Sequence, residues 1–433
     1  YHIDKNDEEE WKYYWDVADK AFKKALELDP DFSIARTHII NMLFFEQNFS
    51  EVIKEEIEEI NKHPKSFNPY KNIITSYELL EDSTNAVKYL ENAKSSLGPE
   101  KFCNLNFITG WNLAMTRKKL NFNNQTNYHL RRATYYMQNA LAVCSDDKIH
   151  PKDGNNLHID PLAVIIAYRA YNDTYAEDLY NQIISSLPDS NKMKFTFRVG
   201  EYNLWDMIPR QFPNESKKDR YIFSNKYFIK VFEYSKKLDD KMYFLKALRG
   251  LLVTYPDRDT PEKVESFYKE EINAFCGEKS TVDCLDFGNK SSGVLADLAS
   301  TLYHVGLYND SKKLYQHIID KINLLIDFED PVSNLAKARI HDVHFKLGLI
   351  NLKMNNYYLA RQYFVSGSTE RRENKSLIKK YGRFNWLSDK HFKFRIAECL
   401  YKENNFANAI KYFNEAYILE NELKEKMKNL SMK

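Results

Sequence analysis

Residues 397–417 read AECLYKENNFANAIKYFNEAY, and this stretch decides the fold class. Within it, a small residue at Ala409 is followed by an aromatic residue at Phe413 and by a second small residue at Ala416. Spacings of four and seven residues place the three side chains on one face of a helix. Small residues there allow a neighbouring helix to approach closely, and the aromatic ring fills the remaining gap. The stretch therefore predicts a helix that packs closely against other helices.

The same pattern of a small, an aromatic or aliphatic, and a second small or aliphatic residue recurs along the chain. Further copies begin at Ala18, Ala86, Ala176, Ser311 and Ala360. An apolar segment with helical spacing precedes most copies; before Ala86 it is carried by Tyr70, Ile73, Ile74 and Tyr77. Repeated helix pairs predict an array of antiparallel helix hairpins.

The two half-patterns together resemble the tetratricopeptide repeat (TPR) family. The best matches are LELDP at 26–30, FKLGLINLKMNNYYLARQYF at 345–364 and the stretch at 397–417. The resemblance implies an all-α, right-handed superhelical array of about nine or ten antiparallel hairpins, whose concave face is formed mainly by the first helix of each hairpin.

The spacing of the repeats changes along the chain. Ala18 and Ala86 are 68 residues apart, which is two periods of 34, whereas later copies are 43–49 residues apart. We therefore expect a single TPR-like solenoid over residues 1–433. Near-standard repeats fill 1–98, and longer, irregular repeats fill 99–433 and end in a polar capping helix.

Composition supports a helical protein and excludes several function classes. The chain has 433 residues but only 12 Gly and 12 Pro, about half the usual share, so turn-rich β folds are disfavoured. A net charge of +2 gives no global attraction to nucleic acid or to membranes. The longest apolar run, residues 162–168, is far shorter than the roughly 20 residues of a membrane span, so we expect a soluble protein.

No stretch carries a convincing catalytic or metal-binding motif. GNKSSG at 288–293 lacks the order of a phosphate-binding loop, and His341 and His344 are three residues apart where zinc proteases need four. The loop at 146–161 gathers Asp147, His150, Asp153, His158 and Asp160, which could hold a divalent cation, but loops between helices often have this composition. We expect no enzyme activity, no bound metal and no cofactor.

The cysteines and glycosylation sequons leave the compartment open. None of the cysteines forms a C-x-x-C pair, and we expect buried helix packing, with a bridge between Cys276 and Cys284 as an alternative in an oxidising compartment. Eight sequons occur where composition predicts about four. The sequence begins at Tyr1, and a cytoplasmic location is slightly favoured over a secreted one. The five cysteines are Cys103, Cys144, Cys276, Cys284 and Cys399, and the sequons begin at Asn48, Asn124, Asn172, Asn214, Asn289, Asn309, Asn374 and Asn429.

The segment at 369–395 is strongly basic, and Tyr381, Phe384 and Trp386 are interleaved with its basic residues. Such a segment is typical of a solvated linker, of a surface for an acidic protein or of a contact with single-stranded nucleic acid. The candidate basic patch is Arg371, Arg372, Lys375, Lys379, Lys380 and Arg383.

A TPR resemblance implies that the concave face binds a protein or peptide. The family's carboxylate clamp needs paired Lys and Asn at exposed positions of successive first helices. The matching positions of this chain are Lys71 and Thr75, Phe345 and Leu349, and Phe394 and Glu398, so the paired ligands are absent. Those positions instead predict an apolar partner groove centred on Phe345, Leu349, Phe394 and Glu398. Such a groove suits an amphipathic helix of a partner or an internal helix of the same chain, and a buried Phe345 would favour the internal helix.

The sequence therefore predicts a non-catalytic scaffold or adaptor that binds a protein or peptide. A partner-sensing regulatory module of a larger protein is the alternative. RNA or single-stranded DNA contact through 369–395 is a minor alternative, and we expect neither a small-molecule ligand nor membrane insertion.

Overall fold

The computed structural model describes residues 5–115, 127–144, 159–171, 173–185, 187–205, 216–255, 260–277, 279, 281–286, 291–325, 331–381 and 387–431. Of these residues, 88% lie in helices and none lies in a strand. The predicted all-α fold is confirmed. None of the described helices is long and apolar enough to cross a membrane.

The chain forms two compact units, Tyr1–Ser216 and Lys217–Lys433. The single continuous array over 1–433 and its division at residue 98 remain predictions. The helices described in the first unit are α1 (Lys5–Leu28), α2 (Ser33–Phe45), α3 (Phe49–Lys62), α4 (Phe67–Leu79), α5 (Ser83–Ser96), α6 (Pro99–Ala114), α7 (Asn127–Val143), α8 (Ile159–Ala170), α9 (Asp173–Ile184) and α10 (Asp189–Trp205).

The second unit also consists of consecutive helices. Its described helices are α11 (Lys217–Leu238), α12 (Lys241–Thr254), α13 (Pro261–Cys276), α14 (Thr281–Leu285), α15 (Ser291–His304), α16 (Tyr308–Leu325), α17 (Pro331–Lys353), α18 (Tyr357–Glu373), α19 (Lys375–Tyr381), α20 (Asp389–Lys402) and α21 (Phe406–Ser431).

Successive helices pack as hairpins, and the hairpins pack on one another. In the first unit α2 packs on α3, α4 on α5, α6 on α7 and α8 on α9, while α4 also contacts α6. In the second unit the pairs include α15 with α16, α17 with α18 and α20 with α21, and α18 also packs on α20.

A recurring turn joins the helices of several hairpins. The residue just before the turn's Asn or Asp adopts a positive φ, as at Gln47, Glu81, Asp239, Asn355 and Asn404. An Asn or Asp follows each of them at the start of the next helix. In three of these turns its side chain accepts a hydrogen bond from a backbone N–H three residues later, which caps that helix. The left-handed residue ends one helix and the capping residue begins its partner, so two residues reverse the chain.

The small residues of the repeat pattern lie at close helix crossings, as predicted. Ala86, Ala93, Ala360, Ala409 and Ala416 are all buried. Two glycines show how close the crossings are: a Cβ added at Gly348 would lie 2.5 Å from the ring of Phe364, and one added at Gly367 would lie 2.6 Å from Phe392. The aromatic rings of one helix therefore fill the gaps left by small residues of the next.

A buried ionic network joins α4 to α7 in the first unit. The Glu78 carboxylate is fully buried and accepts hydrogen bonds from Arg132 Nη2 at 2.7 Å, from Tyr136 at 2.6 Å and from Tyr128 at 2.9 Å. Such a charge is tolerable in the interior because several donors satisfy its oxygens. The network fixes the position of α7 against the preceding hairpin.

The expectation that the cysteines serve only in buried helix packing is wrong for four of the five, because these four form two disulfides. Cys103 and Cys144 form a disulfide, since the antiparallel pairing of α6 and α7 brings the start of one helix beside the end of the other. The alternative bridge between Cys276 and Cys284 is also formed, and the Cα atoms of each pair are 5.5 Å apart. Only Cys399 is a buried free thiol, and burial raises its pKa to about 12.

Candidate binding groove

The second unit contains an open groove between α17, α20 and α21. Its volume is about 860 Å³. Each of the three helices contributes apolar side chains, because the repeat pattern turns one face of each helix toward the same concave surface. The lining residues are Phe345, Lys346, Leu349, Lys390, His391, Phe394, Arg395, Phe413, Asn414, Ala416, Tyr417 and Glu420.

Phe345 lies at the floor of the groove rather than at its surface. Its side chain is only 5% exposed and belongs to the hydrophobic core of this region. The ring packs edge-on against Phe364 of α18 and Phe392 of α20, with centroid distances of 5.4 and 5.2 Å. Of the two alternatives, the burial of Phe345 favours internal helices of the same chain as its cover, since rings of α18 and α20 pack over it. A partner groove is therefore not centred on Phe345.

Phe394 and Tyr417 form the accessible apolar wall. Phe394 on α20 is 48% exposed and Tyr417 on α21 is 66% exposed. Phe413, one turn before Tyr417, packs edge-on against Phe394 at a centroid distance of 5.5 Å. Leu349 of α17 is half-buried beside them. Two large rings thus remain exposed in a concavity whose other apolar residues are anchored in the core.

Glu398, the fourth residue of the predicted partner groove, does not line it. Its carboxylate accepts a hydrogen bond from Arg395 Nη1 at 2.5 Å, one turn earlier on α20. The half-buried ion pair holds Glu398 along its own helix. The structure therefore brings together Leu349 and Phe394 at the surface of the groove, with Phe345 beneath them and Glu398 outside.

The rim of the groove is predominantly basic. Lys346 and Lys390 line it with one acidic residue, Glu420, and Arg395 also lines it but is paired with Glu398. Burial, reinforced by the nearby Lys390, lowers the pKa of His391. The groove therefore offers an apolar floor and wall beneath a positively charged edge.

The predicted basic patch is smaller in the structure than in the sequence. Arg371 is committed to internal contacts: its Nε donates to the Leu387 carbonyl at 2.7 Å, and its Nη1 lies 3.3 Å from Asp389. Arg371 therefore does not belong to a free patch, because it ties α18 to the start of α20. The exposed basic residues are Arg372, Lys375, Lys379 and Lys380, while Arg383 lies outside the described residues.

A second, smaller cavity in the first unit is polar. It encloses about 300 Å³ between α2, α3 and α4. Arg36 pairs with Glu59 at 3.2 Å, and Asn72 donates a hydrogen bond to the buried Glu56. Burial raises the Glu56 pKa above its ordinary value. Most of the charge that lines this cavity is thus neutralised or hydrogen-bonded within the chain.

Among the residues that the structure describes, the side chains of the sequence motifs for metal binding do not form a binding site. His341 is fully buried, and burial lowers the His344 pKa to about 4, so both occupy packing positions of α17. Among the described residues, no group of three or more His, Cys, Asp or Glu side chains could hold a metal ion. Most of the loop at 146–161 and the first half of GNKSSG lie outside the described residues.

Sequence reasoning missed the contribution of α21 to the groove. Phe413 and Tyr417 are four residues apart on the last described helix, and both appear in the stretch that decides the fold. The available signal was spacing: residues four apart on one helix lie on the same face, so Phe413 and Tyr417 share a face of α21.

Comparison with known proteins yields structural likenesses alone. No family model matches the chain, and no curated protein matches it. Among solved structures, a human IFIT1 dimer with PPP-AAAA is 13% identical and aligns with a TM-score of 0.23 over 94% of this chain and 95% of that one. Yeast Tom70 is 12% identical with a TM-score of 0.22, over 99% of this chain and 93% of that one. The TPR domain of P58(IPK) is 12% identical with a TM-score of 0.19, over 89% and 88%.

Proposed function

We propose that the protein is a non-catalytic interaction scaffold whose C-terminal groove binds an acidic amphipathic helix of a partner protein. The observation that carries this proposal is the exposure of Phe394 and Tyr417 on adjoining helices of one groove. Exposed aromatic rings in a concave, well-packed setting are typical anchors for a partner, since covering them removes apolar surface from water.

The charges on the rim favour an acidic partner. Lys346 and Lys390 line the rim with one acidic residue, Glu420, while Arg395 is paired with Glu398. A helix with apolar residues along one stripe and Asp or Glu beside it complements the apolar centre and the two lysines. Apolar contacts supply most of the affinity, and the rim charges select the partner and speed its association.

Peptide selection tests this proposal without a known partner. A displayed library of helix-forming peptides is selected on the full chain, and the enriched pool is then tested on the double variant Phe394→Ala, Tyr417→Ala. We expect peptides with apolar residues spaced three or four apart and flanking Asp or Glu, and we expect the double variant to lose them.

The matched control removes exposed rings that lie outside the groove. Tyr358 and Tyr401 of the same unit are 61% and 54% exposed and do not line it. The double variant Tyr358→Ala, Tyr401→Ala should retain the selected peptides. Equal binding to the groove variant, or a pool without acidic bias, would contradict the proposal.

A nucleic-acid alternative has its own readout. Arg372, Lys375, Lys379 and Lys380 remain exposed, and a labelled single-stranded RNA can be titrated against the chain at low and high salt. Binding that is lost when Lys375, Lys379 and Lys380 become Glu, but survives in the groove variant, would favour nucleic-acid binding over the peptide groove.

A further inference from the structure

The bridge between Cys276 and Cys284 is buried, and the bridge between Cys103 and Cys144 is buried at Cys103 and half-buried at Cys144. Cys103, Cys276 and Cys284 are 7% exposed or less. Each bridge fastens neighbouring elements: one joins α6 to the end of α7, and the other joins α13 to α14. Reactive cysteines sit in accessible, electropositive surroundings, whereas buried bridges of this kind hold the fold together. Structural disulfides form and persist in oxidising compartments and are rare where thiols are kept reduced.

The sequons give an independent observation of the same kind. Eight occur along the chain, and N-linked glycosylation takes place in the secretory pathway. Three of them have described side chains, at Asn48, Asn309 and Asn374. Whether a folded chain can carry the sugar at each position depends on the amide nitrogen, Nδ2, to which the sugar is attached.

Two of these asparagines can carry a sugar on the folded protein. Asn309 is exposed near the start of α16. Asn48 is exposed too, and it caps α3 through its oxygen, Oδ1, which accepts a hydrogen bond from the backbone of Glu51. Attachment at Nδ2 leaves that oxygen in place, so the cap survives.

Asn374 differs from both. It is half-buried, and its Nδ2 donates to the Glu370 carbonyl and to the Glu370 carboxylate, both at 3.1 Å. A sugar on Nδ2 would replace one of these two hydrogens and would have to enter the turn between α18 and α19.

We propose that the chain matures in an oxidising secretory compartment and carries N-linked oligosaccharide at Asn48 and Asn309, but not at Asn374. In the modification, Nδ2 loses a proton and bonds to the anomeric carbon of a lipid-diphosphate-linked oligosaccharide, and the lipid diphosphate leaves. In each bridge, two thiols lose two protons and pass two electrons to a disulfide of an oxidoreductase, which is reduced to a dithiol.

Mass spectrometry of the protein from its natural source tests this assignment. The protein is isolated under acid quenching, alkylated, reduced and alkylated with a second reagent, then deglycosylated in ¹⁸O water. We expect Cys103, Cys144, Cys276 and Cys284 to take only the second reagent, and Asn48 and Asn309 to become ¹⁸O-labelled Asp. First-reagent labelling of any of these four cysteines, or unmodified Asn48 and Asn309 peptides, would overturn the proposal.

Variants separate the three asparagines. The chain is directed into the secretory pathway of a eukaryotic host, where Asn48→Gln and Asn309→Gln should each remove one oligosaccharide from the intact mass. Asn374→Gln is the matched control and should remove none. Loss of an oligosaccharide in the control, or no loss in the other two, would contradict the structural argument. Neither result depends on the peptide-binding groove.

Discussion

The polar cavity of the first unit and the apolar groove of the second unit arise from the same repeat pattern but present opposite chemistry. In the polar cavity, Arg36 and Glu59 neutralise each other and Asn72 satisfies Glu56. In the apolar groove, the side chains of Phe394 and Tyr417 are exposed to solvent. Polar groups can form hydrogen bonds with neighbouring residues or with water, whereas exposed aromatic rings are stabilised only when another molecule or segment removes them from water.

This difference shows that the packing of the helices determines where a cavity or groove forms, but not whether that surface binds a partner. The polar cavity lies between α2, α3 and α4 in the first unit, and the apolar groove lies between α17, α20 and α21 in the second. Side chains then decide whether each surface is satisfied within the chain or by a partner.

Phe345 should behave as a core residue although it lies beneath the groove. Because its ring packs against Phe364 and Phe392, Phe345→Ala should lower the free energy of unfolding by about 3–5 kcal/mol. Denaturant titration measures this loss. Phe394→Ala is the matched comparison and should cost under about 1 kcal/mol, since its ring is half exposed. Similar losses in the two variants would show that floor and wall are not distinct.

The exposed wall should control affinity rather than stability. Phe394→Ala with Tyr417→Ala should weaken binding of a selected acidic peptide by about 2–4 kcal/mol, or roughly 30- to 1000-fold, because few central aromatic residues dominate such interfaces. Isothermal titration calorimetry gives the dissociation constant. Lys71→Ala in the polar cavity should change it by less than about twofold, within the range of a neutral surface substitution. A larger effect of Lys71→Ala would assign binding to the first unit.

The small residues should be equally intolerant of enlargement in both units. Ala86 and Ala409 are each 1% exposed or less, so Leu at either position overpacks a helix crossing and should cost about 1–3 kcal/mol. Thermal unfolding of Ala86→Leu and Ala409→Leu measures the cost. An unchanged melting temperature in either variant would mean that the repeat pattern is misassigned in that unit.

Glu56 should make the polar cavity sensitive to pH, and we expect this to be the smallest of the four effects. Burial raises its folded-state pKa, so the protonated form suits the fold. Stability from this group is therefore fully present below the unfolded pKa and is lost as pH rises through the folded pKa. Comparing unfolding free energies near pH 4 and pH 7 in wild type and Glu56→Gln isolates the term. An identical pH dependence in both proteins would contradict it.

How far the sequence predicts this protein depends on how local the deciding contacts are. The spacing of Ala409, Phe413 and Ala416 is a property of one helix, so their face was predictable. Phe345 occupies a groove-facing position in the repeat pattern, but its burial depends on rings from two other helices. Periodicity within one helix cannot report such contacts.

The disulfide between Cys103 and Cys144 was missed for a similar reason. Their separation of 41 residues carries no local signal, and the pair meets only because α6 and α7 run antiparallel with a matching offset. Cys276 and Cys284, eight residues apart, could be proposed because a short loop brings them together. Sequence distance therefore decided which bridge could be anticipated.

Amide hydrogen exchange with a selected acidic peptide tests the central proposal most directly. The experiment compares the free and peptide-bound chain, and it reports on both concave surfaces at once. On binding of the peptide, we expect slower amide exchange in α20 and in residues 406–420 of α21, with no change in α2, α3 and α4. Slower exchange confined to α2, α3 and α4 would contradict it and would place the binding surface in the polar cavity.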